Sequence, residues 1–278
     1  MKVSLFGLTG IPLGKHNVKD ARLDQTHKLV EAKKKTHVQV DVAGGEEAVT
    51  ADAIVVSPSS RLDVILRDLE FVETRLERAP PEPEKSVLGK IKAALESERF
   101  VSAAGLTPAE LQAVAAHAFL TSKPVVVATA ADLKKFDEFL VRVLSESGYI
   151  SYLTVGGPEN RAWLIKQGMT APEAAGAIHT DIRKGFIRAE IISFADFIAA
   201  GGETQAKHAN KLRLETKHYV VRDYDLVNFR FNKQKPGQAA PPARRSGKSE
   251  SRPSSVAGQM PRSVTTPANR RAGVTSNP

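Results

Sequence analysis

Two short runs, Ala53-Ile54-Val55-Val56 and Pro124-Val125-Val126-Val127-Ala128, are apolar without a break. A strand with one wet face alternates polar and apolar residues, whereas a strand apolar throughout is buried on both faces, as in a parallel sheet covered by helices. Residues 36–42, THVQVDV, predict a strand beside them, and residues 149–155 predict a further strand of the same layer. Parallel neighbours need long crossovers, and amphipathic helical patterns supply them. From Arg61 to Ala79, Leu62, Ile65, Leu66, Leu69, Val72 and Leu76 recur at three- and four-residue steps; a second pattern runs from about Glu84 to Phe100 through Val87, Leu88, Ile91 and Leu95. The prolines of PPEPEK separate them, predicting an antiparallel helical hairpin over residues 61–100. Thr107 and Glu110 have capping-box spacing at the start of a third helix expected to reach Leu120, and a further helix is expected over residues 132–147. Residues 1–157 therefore read as an α/β layer with a helical insertion.

The turn Gly156-Gly157-Pro158 marks the expected boundary. Beyond it come a strand in RAWLIKQG, a helix around residues 172–178, the run KGFIRAEIISF, a helix near residues 195–200 and two closing strands, KHYVVRD and LVNFRFN. Tyr219, Val221, Val227, Phe229 and Phe231 alternate with polar neighbours, as a sheet with one packed face requires. Residues 158–232 read as a compact α+β domain.

The opening stretch, MKVSLFGLTGIPLGKHNV, raises the question of a phosphate-binding loop. Such a loop needs G-x-x-x-x-G-K-[ST], with amides around the phosphates, a lysine reaching the outer ones and a hydroxyl on Mg²⁺. Gly14 and Lys15 supply the end of that pattern, but Gly10 stands one residue too close, and His16 replaces the hydroxyl. No apolar helix follows to aim its N-terminus at a phosphate. A first strand and a surface loop are expected, with Gly10, Gly14, Lys15, Asp41 and Gly44 as the residual nucleotide candidates.

The chain has no cysteine, which excludes a disulfide scaffold, thiolate metal sites and cysteine nucleophiles. No run of about 18 apolar residues occurs, so a soluble, cytoplasmic protein without a membrane partner is expected. Histidines 16, 27, 37, 117, 208 and 218 fall at no metal-ligand spacing, and no metal is assigned. His179-Thr180-Asp181 lacks a nucleophile beside it and reads as a satisfied loop histidine or a helix-capping aspartate. No pair of carboxylates identifies a general acid and base.

The formal charge of +9 is uneven. Residues 233–278, beginning KQKPGQAAPPARRSGKSESRPSS, hold nine Lys/Arg and one acid, Glu250, which leaves residues 1–232 close to neutral. Rich in Pro, Ser, Gly and Arg and devoid of aromatics, this tail is expected to be disordered and to attract phosphate backbones weakly, or only to solubilise the chain. In the body of the chain the RNA-binding candidates are Arg183, Lys184 and Arg188 around the Gly185-Phe186 turn, with Lys207, Lys211 and Arg213 beyond them. Phe186 and Phe194 are candidates to stack a base, or to fill the core.

Residues 170–193, TAPEAAGAIHTDIRKGFIRAEIIS, with YVVRDYDLVNFRFN at 219–232, closely resemble the C-terminal domain of the Obg-like ATPase (YchF) family, motif A-P-Q-A-A-G-x-I-H-T-D-x-x-K-G-F-I-x-A; Glu173 stands for Gln and Tyr224 for a usual glycine. DARLDQTHKLVEAKKKTHVQVDVAG, ADAIVV and FLTSKPVVVATAADL resemble segments of the family's nucleotide domain. The resemblance implies a degenerate P-loop-type G domain of α/β fold over residues 1–157, with the hairpin inserted, and a β-grasp (ubiquitin-like) TGS domain of α+β fold over residues 158–232. The departures fall on the chemistry: the phosphate loop and its helix are missing, few residues separate Gly44 from Ala53 where a switch should lie, and Ala128-Thr129-Ala130-Ala131 replace the base-reading Asn and Glu. The resemblance therefore implies a ribosome- or RNA-associated regulatory protein with no cofactor expected, and leans against an enzyme. One rival is a diverged ATPase or GTPase still binding ATP or GTP with magnesium through the residual loop. Another is a scaffold that meets a protein partner through the hairpin.

Overall fold

The computed structural model describes residues 1–232; the expected tail, residues 233–278, lies outside them. The opening run forms β1 (Lys2–Phe6), with Val3, Ser4 and Leu5 buried. No helix follows. The chain loops through residues 7–13 and returns as β2 (Gly14–Val18), then enters α1 (Ala21–Leu29), which Asp20 caps by accepting from the Arg22 N–H. β3 (Lys34–Thr36), β4 (Val38–Ala43) and β5 (Ala53–Val56) come next. With β6 (Val125–Val127) they give a five-stranded sheet in the order β2-β4-β1-β5-β6. β1 pairs in parallel with β4 and β5, and β5 with β6, while β2 runs antiparallel on the edge with Lys15 opposite Asp41. The expected surface loop at Lys15 is thus corrected to a strand, because five residues of polar sequence find backbone partners along β4.

Between β5 and β6 stands the hairpin, α2 (Arg61–Glu77) and α3 (Glu84–Glu96). Ile65, Val72, Leu88, Ile91 and Leu95 close on one another beneath it, whereas Leu62 and Leu66 of the expected stripe stay exposed. The third helix, α4 (Pro108–Ala113), keeps its Thr107–Glu110 capping box but stops well short of Leu120. Beyond it the chain makes single 3₁₀ turns and Ala118 turns left-handed at φ 51°. The helix expected over residues 132–147 is two, α5 (Ala130–Lys134) and α6 (Phe136–Glu146), parted at Lys135.

A second sheet contains β7 (Tyr149–Thr154) and β8 (Glu159–Lys166), an antiparallel hairpin turning through Gly156 and Gly157, both at positive φ. The two glycines thus join strands of one sheet instead of parting two domains, and β7 belongs to the second sheet. The chain continues through α7 (Ala171–Ile178), α8 (Thr180–Lys184), β9 (Phe186–Ile192), α9 (Phe194–Ala200), α10 (Glu203–His208), β10 (Arg213–Glu215) and β11 (Leu226–Phe231). The strand order is β10-β9-β11-β7-β8-β3, with β11 parallel to β7 and antiparallel to β9. The strand expected in KHYVVRD is a turn instead, with a single bridge between Thr170 and Val220. β3 crosses from the first half to extend this sheet, parallel to β8. One continuous core joins Val3, Val40 and Val55 of the first sheet to Leu153, Ile192 and Leu226 of the second and to Phe197 of α9. A smaller core lies under α7, around Tyr152, Ala175, Ile191 and Phe229.

Candidate functional site

In an open α/β sheet, ligands settle beyond the carboxyl ends of the strands, where the strand order reverses. Here that place is the end of β1, since β4 lies on one side and β5 on the other. Gly7 takes a left-handed φ of 62° against the turn into α2, where a Cβ would lie 1.9 Å from the Ser60 hydroxyl. Ser57 Oγ is 2.9 Å from both Ser59 Oγ and Ser60 Oγ. This hydroxyl group was not singled out from the sequence, since only the approach of β1 to β5 brings Gly7 beside it.

Of the residual nucleotide candidates, Gly14, Lys15 and Asp41 come together across β2 and β4, whereas Gly10 stands apart in the loop. Gly10 lies exposed in the loop with open space around it, and Gly14 begins β2. Lys15 and Asp41 are cross-strand neighbours, yet no ion pair joins them among the described residues. Lys15 points from an edge strand, not from the head of a helix. His16 Nε2 sits 2.7 Å from the Pro12 carbonyl and its ring meets Phe136 edge-on at 5.3 Å, so the imidazole is held within the loop. At the end of β4, Ser4 donates to the Gly44 carbonyl at 2.8 Å, and the Glu46 carboxylate fills the space beside the Gly44 Cα. After β6, Thr129 and Asp132 spend their polar groups on each other as a capping box. Those Thr129 bonds hold the Asp132 carboxyl below its ordinary range, assisted by Arg142 at 2.9 Å. Among the described residues no three His, Cys, Asp or Glu side chains converge as a metal site, and no helix is long and apolar enough to cross a membrane.

A cavity of about 690 Å³ lies between α2 and the loop after β4, lined by Glu46, Val49, Arg67, Phe71, Arg78 and His117 among others. Phe71 packs against His117 at 5.3 Å and against Phe119 at 5.6 Å. Glu84 accepts from Arg75 at 2.6 Å and pairs with His117 at 2.9 Å, and its carboxyl is held low chiefly by Arg75. Arg67, Phe71, Thr74 and Arg78 share one exposed stripe at helical spacing.

The basic candidates of the second sheet divide into two groups. Lys207 pairs with Glu203 at 2.6 Å, Lys211 with Asp196 at 3.0 Å, and Arg213 with Glu215 at 3.3 Å while also donating to the Tyr219 hydroxyl. Arg183, Lys184 and Arg188 are exposed and carry no ion pair among the described residues. Phe186 packs edge-on to Phe229, and Phe194 edge-on to Tyr224, so both aromatics serve the interior. His179 caps α8, its Nδ1 accepting from the Asp181 N–H at 3.1 Å. Glu173 accepts from the Thr170 hydroxyl and N–H, both at 2.7 Å, and is held low by those bonds.

Comparison with known proteins agrees with this architecture. The structure of the Schizosaccharomyces pombe YchF GTPase superposes with a TM-score of 0.66 at 18% identity, covering 83% of this chain and 97% of that one, so the fold is that of a YchF-type GTPase. The family profile YchF-GTPase_C, described as a protein of unknown function (DUF933), matches residues 149–232 and begins where β7 does. The "Ribosome-binding ATPase YchF" of Pasteurella multocida is 32% identical over 244 residues, 64% of this chain and 67% of that protein. Its Bacillus subtilis namesake is 31% identical over 236 residues, 62% of this chain and 64% of that one. The chain belongs to the Obg-like ATPase (YchF) family. It spans about two thirds of the length of these curated relatives.

Proposed function

We propose that this chain is a non-hydrolysing member of the family that associates with the ribosome or its RNA in the cytoplasm through its C-terminal half. The observation that carries this reading is the position of Lys15. It stands on the edge strand β2, so no helix N-terminus and no ring of amides would face a phosphate there. Phosphoryl transfer depends almost wholly on such positioning and charge stabilisation. The Glu46 carboxylate beside Gly44 adds a like charge near the end of β4, and Thr129, in the segment Ala128-Thr129-Ala130-Ala131 that by resemblance replaces the base-reading pair, is spent on a capping box with Asp132. The residues present do not fit a nucleoside triphosphate with magnesium.

The ribosome enters through the relatives, two of which are named ribosome-binding ATPases. The strand order β8-β7-β11-β9-β10, with the first and last strands parallel at its centre, supports reading the second sheet as a β-grasp TGS domain. The first sheet is then a degenerate G domain. Arg183, Lys184 and Arg188, exposed and in no ion pair among the described residues, are cations on this side available to phosphates. Lys207, Lys211 and Arg213 are engaged within the chain and contribute less. Co-sedimentation with ribosomes tests the reading. The full chain should pellet without added nucleotide, release as salt rises, and pellet less after Arg183→Glu with Lys184→Glu. No pelleting at low salt would contradict it.

The cavity beside α2 favours a second reading, a protein partner on the hairpin. Leu62, Leu66 and Phe71 are exposed along that helix. Salt-insensitive pelleting that survives both substitutions and falls after Phe71→Asp would favour it.

A further inference from the structure

β3 lies against only the first part of β8, with Lys34 opposite Glu159 and Thr36 opposite Arg161. At His37 the chain turns away into β4 of the other sheet, and β8 runs on with its outer edge unpaired while its inner edge stays bonded to β7. A groove of about 690 Å³ opens at this divergence, walled by Lys34, His37 and Gln39 on one side and by Tyr149, Arg161 and Trp163 on the other. Its lining is more polar than apolar in character, and its cations outnumber its acids.

An aromatic stack stands at one wall. The Arg161 guanidinium lies 4.0 Å over the Trp163 ring, which itself stacks on buried Tyr152 at 6.5 Å and 15°. Trp163 Nε1 donates to Thr154 Oγ1 at 2.9 Å and fixes the ring. Lys34 begins the neighbouring strand and Lys33 just precedes it, and both are exposed. Lys35 is drawn to Asp24, and Lys34 lies 3.9 Å from Glu159, a carboxylate already shared with Thr36 and Arg161. Asp52, the acid among the residues lining the groove, accepts from the Lys2 N–H. His37 Nδ1 is buried without a hydrogen-bond partner among the described residues.

Lysines on an edge strand also guard against pairing with another chain. That role needs charge alone. It requires neither a guanidinium held over a fixed indole nor a groove opening beside it. Cations along one wall and a planar stack on the other are what a single-stranded nucleic acid uses: phosphates against lysine, a base against an arginine or aromatic plane.

We propose that the β3–β8 groove binds single-stranded RNA, its phosphates along Lys33, Lys34 and Arg161 and one base against the Arg161–Trp163 stack. The proposal rests on the ribosome reading for the source of the RNA, and names a surface on the sheet edge away from β9 and β10. Trp163 is the one tryptophan in the chain, so its emission reports the groove directly in the full-length protein. Titration with a short oligouridylate should change that emission saturably. The apparent affinity should fall as salt rises, and about tenfold or more after Arg161→Glu. Lys34→Ala, at a side chain 70% exposed, should weaken binding at little cost to folding and keeps the test valid if the arginine variant is unstable. An unmoved Trp163 signal, while anisotropy of labelled RNA shows binding unaffected by either substitution, overturns the proposal and leaves the ribosome reading intact. Equal response to polyglutamate overturns it in favour of an acidic protein. Failure of both RNA binding and ribosome pelleting removes both readings together.

Discussion

At Gly185 a Cβ would lie 2.2 Å from the Asn232 carbonyl oxygen, closer than any relaxation of a side chain could relieve, because the obstacle is backbone. The contact exists because Gly185 and Asn232 bond each other: the Asn232 N–H donates to the Gly185 carbonyl at 2.9 Å and ties the end of β11 to the start of β9. Gly185→Ala should therefore cost about 1–3 kcal/mol, read as a lower urea midpoint with an unchanged slope. Glu110 supplies a pH-dependent test. Its bonds from Lys90, then from the Thr107 N–H and hydroxyl, push its carboxyl down to about 2 from 4.5. A depressed acid stabilises the fold above its unfolded-state value and loses that contribution as pH falls through the folded-state one. Glu110→Gln should lower stability at neutral pH, and its deficit should shrink between pH 4.5 and about pH 2 in acid titrations of the urea midpoint.

Helix α2 shows how an element can be legible in its existence and not in its packing. Its three- and four-residue periodicity identified the helix, yet Leu62 and Leu66 lie outside the packed seam, because α3 covers only the face bearing Ile65, Leu69, Val72 and Leu76. Asp68, unremarkable among the charges of that stretch, is buried and accepts from the Leu120 N–H at 3.0 Å and from the Thr121 N–H and hydroxyl at 2.7 Å. Asp68→Ala would leave these buried donors unanswered and should cost about 3 kcal/mol in chemical denaturation, whereas Asp63→Ala on the exposed side should cost little. β2 was hidden for the opposite reason: GKHNV has no strand pattern, and only the vacant edge of β4 makes it one. KHYVVRD has the pattern and is not a strand. There Asp225 accepts from the Arg222 N–H and the Tyr219 hydroxyl, and the Val221 N–H reaches the Met169 carbonyl, so local bonds outcompete a ladder.

Across the whole molecule, the order of elements was readable while their assignment to sheets was not. A strand's pattern records which faces are buried and says nothing of which neighbour buries them. Thus β7 joined the second sheet, β3 crossed into it, and one core came to serve both. Arg22 strengthens that union by bonding Asp20 and Asp223 while lying 3.6 Å over the Tyr224 ring; burial opposes its charge, and those carboxylates hold it protonated. The candidate site divides in the same way. The want of a metal-holding hydroxyl at His16 was visible in sequence, but the transfer of Lys15 to a strand and the closure of Glu46 on Gly44 came only with the fold. On the proposed non-hydrolysing reading, several charged hydrogen bonds are withdrawn from a triphosphate, each worth about 1.5–3 kcal/mol. Calorimetric titration of the full chain with ATP and with GTP in excess magnesium measures that loss directly. No saturable heat should appear up to roughly millimolar nucleotide; a saturating isotherm at micromolar concentration with either nucleotide would contradict the account.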